Sequence, residues 1–298
     1  MSTSFVRKAV VPVAGLGTRH FPASHAVKKE LFPVVGRDGI SRALFHYHLI
    51  ELLEAGIEEI CLIVQPGEDL AIRSYLEGPD AGYLKRLEKY PALRAEARRM
   101  KELVGRVSFA VQQTQEGYGH AVYQTQQFAG TEPILLCLGD HLFRGHPRSP
   151  YRELVQGGAI SGGKSVSAVN RIGPGELKGY GTIAGTRRKE SPSLIDVSLI
   201  IEKPDVATAR ERLRVNDTPH DLFLGWFGMH LLAPSIYQIL EEMIRDDIRD
   251  GGEFQLTRAQ EIQRQREGYL ALEMTGAQRF DFGIPDDYLQ SLQDFRRV

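Results

Sequence analysis

Lys8-Ala-Val-Val-Pro-Val-Ala-Gly-Leu-Gly-Thr-Arg19 joins an apolar run to a glycine-rich loop near the start of the chain. Its apolar run at 9–13 predicts a buried strand. Gly15 and Gly17 allow a sharp turn whose backbone N–H groups can approach an anion. The arginine that ends the stretch and Lys29, which follows soon after, add two cations. The loop therefore predicts a polyphosphate-binding site at the end of a strand.

Two better-known glycine motifs fit the chain less well. The dinucleotide fingerprint is incomplete, because His20 stands in place of its third glycine. Residues 158–165 match the phosphate-loop pattern and contain Lys164. That motif needs a strand before it and a helix after it, whereas 151–156 looks helical and 165–169 alternates like a strand. We interpret it as a helix-to-strand turn, and a phosphate-loop NTPase is the least favoured alternative.

Composition narrows the class of protein. The chain has 298 residues, 42% of them hydrophobic, and a formal net charge of −1. This charge argues against broad nucleic-acid binding, and no apolar run approaches the roughly 18 residues that span a bilayer. We therefore expect no nucleic-acid partner, no membrane partner and a cytoplasmic location. The two cysteines, Cys61 and Cys137, lie in apolar runs and are predicted to be buried, reduced and structural.

The order of apolar segments predicts an α/β fold. Strand-like runs alternate with helix-like runs in the first half, which implies a mixed, mainly parallel central sheet flanked by helices, Rossmann-like, with additional β elements in the second half. Strands are predicted at 9–13, 60–64, 107–111, 134–138, 165–169, 182–184, 194–202, 223–232 and 269–274, and helices at 41–54, 68–104 with a break at Pro91, 119–128, 234–245 and 255–267. No linker is evident, so residues 1–298 are expected to form one domain.

Placing motifs on this sheet predicts a common cleft. Ligands of such sheets bind beyond the carboxyl ends of the strands, so the loops after 13, 111 and 138 should meet. His46 and His48 lie two positions apart in a predicted helix, where side chains point away from each other. A metal shared by these two histidines is therefore not expected.

Several further motifs follow in a fixed order along almost the whole chain. They are Ala14-Gly-Leu-Gly-Thr-Arg19 with Pro22 and Lys29-Glu30, Gln112 with Gly117-Tyr-Gly-His-Ala121, Leu138-Gly-Asp140, Tyr180-Gly181, Glu202-Lys-Pro204, Gly252-Glu-Phe-Gln-Leu-Thr257 and Arg279-Phe-Asp-Phe-Gly283. Together they resemble the nucleotidyltransferases that make nucleoside-diphosphate sugars, above all the bacterial UTP–glucose-1-phosphate uridylyltransferases. His25, Lys28 and Pro285 depart from the pattern of those uridylyltransferases, so another nucleotide or sugar phosphate stays open.

The resemblance implies a reaction and the groups that carry it. A sugar 1-phosphate, glucose 1-phosphate in the leading hypothesis, would attack the α-phosphorus of UTP, releasing pyrophosphate and forming UDP-glucose. Arg19 would bind the β- and γ-phosphates, and Lys29 would neutralise the α-phosphate or the leaving group. Asp140 and Asp281 would hold Mg²⁺, which typically takes one or two carboxylates plus phosphate oxygens.

The resemblance also divides the remaining residues between two substrates. Residues 1–145 would bind the nucleotide and 146–298 the sugar phosphate, in a homo-oligomer. The implied nucleotide contacts are the loop of Ala14, Gly15 and Gly17, with Gln112 and Gly117 around the base and Glu30 at the ribose. The implied sugar contacts are Gly181 and Glu202 at the sugar and Lys203 at its phosphate. His120 is expected to be structural. A non-catalytic homologue that binds a nucleotide sugar is a further alternative.

Overall fold

The computed structural model describes residues 6–298. Its strands are β1 Lys8–Pro12, β2 Pro33–Val35, β3 Ser41–Ala43, β4 Glu59–Val64, β5 Val107–Val111, β6 Ile134–Cys137, β7 His141–Gly145, β8 Val166–Ile172, β9 Thr182–Arg188, β10 Ser191–Ile201, β11 Phe223–Leu232, β12 Leu270–Glu273 and β13 Ala277–Asp281. Its α-helices are α1 Ala23–Ala26, α2 Leu44–Glu54, α3 Asp69–Glu77, α4 Ala81–Arg86, α5 Pro91–Val104, α6 Tyr118–Tyr123, α7 Gln126–Ala129, α8 Pro150–Ala159, α9 Val206–Arg212, α10 Ser235–Arg245, α11 Leu256–Glu267 and α12 Pro285–Phe295.

One large sheet organises the chain. Its strand order is β5-β4-β1-β6-β11-β8-β12-β10-β9. The strands β5, β4, β1 and β6 run parallel, as the alternation of strands and helices in the first half predicts. The added strands of the second half pair antiparallel, except β12 with β8. The predicted fold class, a mixed sheet flanked by helices with additional β elements, is confirmed.

The two faces of the sheet bury different helices. Ala9 and Val11 of β1 pack in a cluster with α2, α3, α5 and α8. Val10, between them, packs with α6, α10 and α11 on the other face. Since neighbouring strand residues point to opposite faces, a strand covered on both sides must be apolar at every position. This requirement explains the uninterrupted apolar run that predicts β1 in the sequence.

β11 joins the parallel and antiparallel parts of the sheet. Its last residues, 229–232, pair with β6, whereas Leu224 and Gly225 pair with β9. β8 pairs along both parts of β11, with a shift of register between Trp226 and His230. The pairings β11–β8–β12–β10–β9–β11 therefore close a ring of strands beside the parallel half of the sheet.

A small second layer forms next to this sheet. β7 pairs antiparallel with β13, and α12 packs on that pair through Phe280, Phe282 and Phe295. β7 and α12 are not among the sequence predictions. The pair of β7 and β13 carries both predicted metal-binding carboxylates, because Asp140 directly precedes β7 and Asp281 ends β13.

Some predicted boundaries are wrong for local reasons. The predicted helix at 41–54 begins only at Leu44, since Ser41–Ala43 pairs with β2. The predicted helix at 119–128 is two short helices, α6 and α7. Pro91 starts α5 rather than only interrupting a helix, in keeping with its tolerance in the first turn. Within the described residues, no helix is long and apolar enough to cross a bilayer.

Candidate active site

Two adjoining cavities open where the strands of the parallel half end. The first has a volume of about 410 Å³ and the second about 380 Å³, and both are lined by Tyr118 and Leu138. The loops after β1, β5 and β6 meet in the first cavity, as predicted. Six of the predicted nucleotide-site residues line it: Ala14, Gly15, Gly17, Glu30, Gln112 and Gly117.

The glycine loop lies against Lys29. A β-carbon on Gly15 would lie 3.6 Å from Nζ of Lys29. Gly17 has a φ of 64°, a left-handed conformation that favours glycine. The loop is anchored from below by Gln65, whose side-chain amide donates to the Ala14 carbonyl over 2.9 Å. Backbone N–H groups and one ammonium group therefore border the same space.

Lys29, Asp140, His141 and Asp281 form a chain of charged contacts. Nζ of Lys29 donates to Oδ2 of Asp140 over 2.7 Å. The His141 ring bridges the two carboxylates, with Nδ1 2.8 Å from Oδ1 of Asp140 and Nε2 3.2 Å from Oδ2 of Asp281. Sequence reasoning missed His141, although its position next to a candidate metal ligand in Leu-Gly-Asp-His is a readable signal.

The charge states follow from these contacts. Burial opposes protonation of His141, but the Asp140 and Asp281 carboxylates outweigh it and raise its pKa to about 9. Burial also opposes ionisation of Asp140, yet His141 and Lys29 hold its pKa well below the usual range. The pKa of Asp281 is lowered despite burial, chiefly by His141. At neutral pH the cluster therefore holds two carboxylates and two cations.

Asp140 and Asp281 fit a magnesium site shared with phosphate oxygens. A β-carbon on Gly283 would lie 2.6 Å from Oδ2 of Asp140 and 3.2 Å from Oδ1 of Asp281, so both carboxylates border one space that glycine leaves open. Each carboxylate oxygen has two lone pairs and can accept a hydrogen bond while binding a cation. Among residues 6–298, no group of three or more His, Cys, Asp or Glu side chains forms a protein-only metal site. Mg²⁺ needs no such cage.

Glycine at position 139 lets the carboxyl end of β6 reach this cluster. A β-carbon there would collide with the carbonyl oxygen of Pro12, the last residue of β1. Close packing against β1 thus explains the glycine of the Leu-Gly-Asp motif. It lets Asp140 emerge directly against the neighbouring strand.

The predicted base reader is held in place by its neighbours. Gln112 is 2% exposed, and its amide nitrogen donates to the Gly117 carbonyl over 3.2 Å. The same nitrogen lies 3.3 Å from Nδ1 of His120, so His120 supports Gln112. Gly117 has a φ of 111°, and a β-carbon on it would crowd Glu253 and Phe254. Sequence reasoning did not include Glu253 among the site residues, although it lines the first cavity.

Glu30 lies beneath the first cavity rather than projecting freely into it. Its side chain is 1% exposed, 3.6 Å from Nζ of Lys28 and 3.7 Å from Nζ of Lys29. Burial raises its pKa to about 7, although the two lysines oppose this. Lys28, one of the departures from the family pattern, also forms an ion pair with Glu68 at 2.5 Å. Glu30 therefore adjoins two lysines, and its contact with a ribose stays a prediction.

The second cavity gathers the predicted sugar-site residues. Gly181, Glu202 and Lys203 line it together with Asp281. Oε2 of Glu202 accepts a hydrogen bond from Thr257 over 2.7 Å, which fixes the carboxylate. Arg19, predicted at the nucleotide phosphates, is exposed and lines this second cavity instead. No hydrogen bond or ion pair holds the Arg19 side chain among the described residues.

A left-handed residue brings Glu202 and Lys203 to one side. Both follow the end of β10, and Lys203 has a φ of 46°. Its backbone N–H donates to the carbonyl of Tyr180, which ties the turn to the cavity wall. Non-glycine residues adopt this conformation at a cost of about 1–2 kcal/mol, so the fold sustains some strain to present Lys203.

Arg279 is a further cation that sequence reasoning treated only as part of a motif. It lines the second cavity and stacks 4.3 Å from the ring centroid of Tyr180, whose hydroxyl it also contacts. Burial lowers the pKa of Arg279, although the charges of nearby carboxylates, Asp281 foremost, oppose this. A partly buried guanidinium that is in no direct ion pair can still bind an anionic ligand.

Other candidates from the sequence are structural. Lys164 follows α8 and precedes β8, so residues 158–165 form the predicted helix-to-strand turn. The phosphate-loop alternative is therefore wrong. Cys61 and Cys137 are free and buried in strands, as predicted. His46 and His48 contact different tyrosines of the core.

Comparison with known proteins gives one consistent family. A model of the nucleotidyl transferase family matches residues 8–297. The chain is 31% identical to a UTP–glucose-1-phosphate uridylyltransferase of Streptococcus pneumoniae, over 98% of this chain and 91% of that protein. It is 29% identical to UTP–glucose-1-phosphate uridylyltransferase 1 of Staphylococcus saprophyticus, over 97% of this chain and 92% of that protein.

Solved structures agree with the sequence relatives. A UTP-bound UGPase from Acinetobacter baumannii superposes with a TM-score of 0.78 at 28% identity, covering 97% of this chain and 93% of that one. An apo UDP-glucose pyrophosphorylase gives a TM-score of 0.81 at 22% identity, covering 98% of each chain, which supports the fold.

Proposed function

Because the chain belongs to the nucleotidyl transferase family, we propose that it forms UDP-glucose and pyrophosphate from UTP and glucose 1-phosphate, with Mg²⁺ as cofactor. The observation that carries this proposal is the charged chain of Lys29, Asp140, His141 and Asp281 beside two adjoining cavities. A binding-only homologue would not need paired carboxylates between two anion sites. The named relatives support the choice of substrates.

The nucleoside triphosphate would occupy the first cavity. Backbone N–H groups of the glycine loop and Nζ of Lys29 would face its phosphates, while Gln112 would reach the base edge. The pKa of Lys29 is raised by Asp140 and Glu30 although burial opposes it, so the side chain stays a cation. A fixed cation in a partly buried site stabilises phosphate charge without reorganising at the moment of reaction.

The sugar phosphate would occupy the second cavity. Glu202, held by Thr257, would accept hydrogen bonds from sugar hydroxyls, and Gly181 would let the backbone approach the sugar. Arg19, Lys203 and Arg279 line this cavity and would neutralise the phosphate. Their role is positioning, because two polyanions must meet before they can react.

The reaction then follows from geometry and charge. An oxygen of the sugar phosphate attacks the α-phosphorus, and a new P–O bond forms as the bond to the β-phosphate breaks. Pyrophosphate leaves with the electron pair, so no covalent enzyme intermediate or general base is required. Asp140 and Asp281 would hold Mg²⁺, which when bound neutralises phosphate charge at the reacting centre. Lys29 holds Asp140 in position from the nucleotide side.

A panel assay tests this proposal directly. Purified protein is incubated with each of several nucleoside triphosphates and sugar 1-phosphates, and pyrophosphate release is measured with and without Mg²⁺. UTP with glucose 1-phosphate should give the highest kcat/KM, and activity should be lost in chelator. A preference for dTTP or another sugar phosphate would replace the substrate assignment. Release with no pair, combined with measurable nucleotide-sugar binding, would favour the non-catalytic alternative.

The broader organisation stays a prediction. Residues 1–145 would supply most nucleotide contacts and 146–298 most sugar contacts within one domain, with Arg19, Asp140 and Asp281 connecting the two. The homo-oligomeric state implied by the resemblance is checked by light scattering on the purified protein.

A further inference from the structure

Trp226 presents an unusual combination of burial and an unpartnered donor. It is the single tryptophan of the chain, lies on β11 and is 6% exposed. Its indole Nε1 is buried, and no hydrogen-bond acceptor contacts it among residues 6–298. A buried N–H without a partner costs free energy, so such groups are rare unless a ligand or water satisfies them.

The indole lies in the wall of the second cavity. Trp226 lines that cavity together with Gly181 and Glu202. Its ring is held edge-on to His230, at 5.6 Å between centroids and 85° between planes. Its backbone N–H donates to the Gly181 carbonyl over 2.8 Å, which fixes the strand against the cavity floor. The indole is thus positioned by packing and by backbone contacts.

Gly181 makes room for this arrangement. A β-carbon there would lie 2.6 Å from Nε1 of Trp226 and 2.9 Å from Oε2 of Glu202. The indole N–H and the carboxylate oxygen therefore border one small space from two sides. The indole N–H can only donate a hydrogen bond, and a carboxylate oxygen accepts one.

We infer that the indole N–H of Trp226 donates a hydrogen bond to a hydroxyl of the bound sugar, next to the hydroxyl contact of Glu202. A hydroxyl accepts and donates at once, so it satisfies both groups, whereas a second anion would be repelled by Glu202. Trp226 is then a specificity-determining residue for the sugar. This inference rests on the proposed function, since it assumes that a sugar phosphate occupies this cavity.

The first test pairs a residue change with a substrate change. Trp226→Phe keeps an aromatic ring but removes the donor. With glucose 1-phosphate, kcat/KM should fall about tenfold, the effect of losing one buried neutral hydrogen bond. The KM for UTP should stay the same. In a set of glucose 1-phosphates that each lack one hydroxyl, the analogue without the hydroxyl bound by Trp226 should be a poor substrate for the wild type. Trp226→Phe should use that analogue as well as the wild type does.

A matched control separates hydrogen bonding from packing. Phe227 is the next residue on β11 and packs 5.1 Å from the ring centroid of Phe143, away from the cavity. Phe227→Leu should alter the kcat/KM for all analogues by one common factor. If Trp226→Phe also changes the kcat/KM for every analogue by the same factor, or changes it for none, the inference is overturned.

Fluorescence provides a test that needs neither turnover nor a variant. Because Trp226 is the only tryptophan, wild-type emission reports on this cavity alone. UDP-glucose should shift the emission maximum, and UDP should not. An equal response to both, or none to UDP-glucose at saturation, overturns the inference. Absence of transfer with every substrate pair would instead contradict the proposed function, so the two failures are distinguishable.

Discussion

Nζ of Lys29 lies 2.7 Å from Oδ2 of Asp140, although 111 positions separate the two residues in the chain. The contact joins the turn after the glycine loop to the end of β6, and it places a cation against a carboxylate at the junction of the two cavities.

The first prediction concerns the paired carboxylates. Asp140→Asn and Asp281→Asn keep the side-chain shape but remove charge, so kcat should fall at least about 100-fold while the protein stays folded. Pyrophosphate release over a range of Mg²⁺ concentrations measures this. Asp196→Asn is the matched control, because Asp196 is an exposed partner of Arg188 and lines neither cavity. Near-normal turnover of Asp140→Asn would refute the metal assignment.

The second prediction compares Lys29, which faces the glycine loop at 15–17, with Lys164 of the helix-to-strand turn. Lys29→Ala should reduce transfer at least about 100-fold, since the site loses its fixed cation and Asp140 loses its partner. Lys164→Ala should retain wild-type kcat and KM, because its turn lies outside both cavities. The reverse result, an inactive Lys164→Ala beside an active Lys29→Ala, would contradict the placement of the nucleotide.

The third prediction uses the left-handed conformation of Lys203. Lys203→Ala and Lys203→Gly should both raise the KM for sugar phosphate about tenfold or more and leave the KM for UTP unchanged. Their stabilities should differ, because glycine adopts a φ of 46° without steric cost whereas alanine does not. In urea, Lys203→Gly should therefore unfold at a concentration no lower than Lys203→Ala does. A less stable glycine variant would show that this turn carries no strain.

The fourth prediction concerns pH. The pKa of His141 is about 9 in the folded protein, above the unfolded value of about 6.5, so its contribution to stability is complete below pH 6.5 and is lost as pH rises through 9. In chelator, the free energy of unfolding should fall between pH 7.5 and 9 by up to about 1.4 kcal/mol per pH unit. Glu30, with a pKa of about 7, titrates mostly below this window.

The control for this prediction is His141→Asn, measured under the same conditions. Asparagine is neutral at every pH, so its unfolding free energy should lack this slope. An equal slope in both proteins would assign the effect to other groups.

The parallel half of the fold could be predicted because its sequence signal is local. β4 and β6 are buried on both faces, and this burial is visible in the sequence as unbroken apolar runs. β3 was mistaken for the start of α2, because three residues carry too little periodicity to separate a strand from a helix. β7 was missed because its pairing with β13 depends on a partner distant in the sequence.

The sequence motifs name many of the residues that line the two cavities, but they do not show how those residues are arranged. The motifs identify Lys29, Asp140 and Asp281, yet nothing local in the sequence says that a histidine bridges the carboxylates. The sequence does not indicate Trp226 as a site residue, because a tryptophan in an apolar strand usually belongs to the hydrophobic core. Arg19 lines the second cavity, although it is predicted at the nucleotide phosphates, and its role stays a prediction. Loop geometry rather than spacing sets where an exposed side chain on a loop lies.

The pairing of β7 with β13 has a consequence for folding kinetics. Asp281 pairs with His141 across a loop of roughly 140 residues, and closing so long a loop is entropically unfavourable until much of the sheet has formed. A refolding chain can thus assemble the parallel strands early and still lack the contacts of His141 with Asp140 and Asp281. Recovery of catalytic turnover should therefore lag behind recovery of secondary structure. The time course of activity during refolding would then report when β7 pairs with β13.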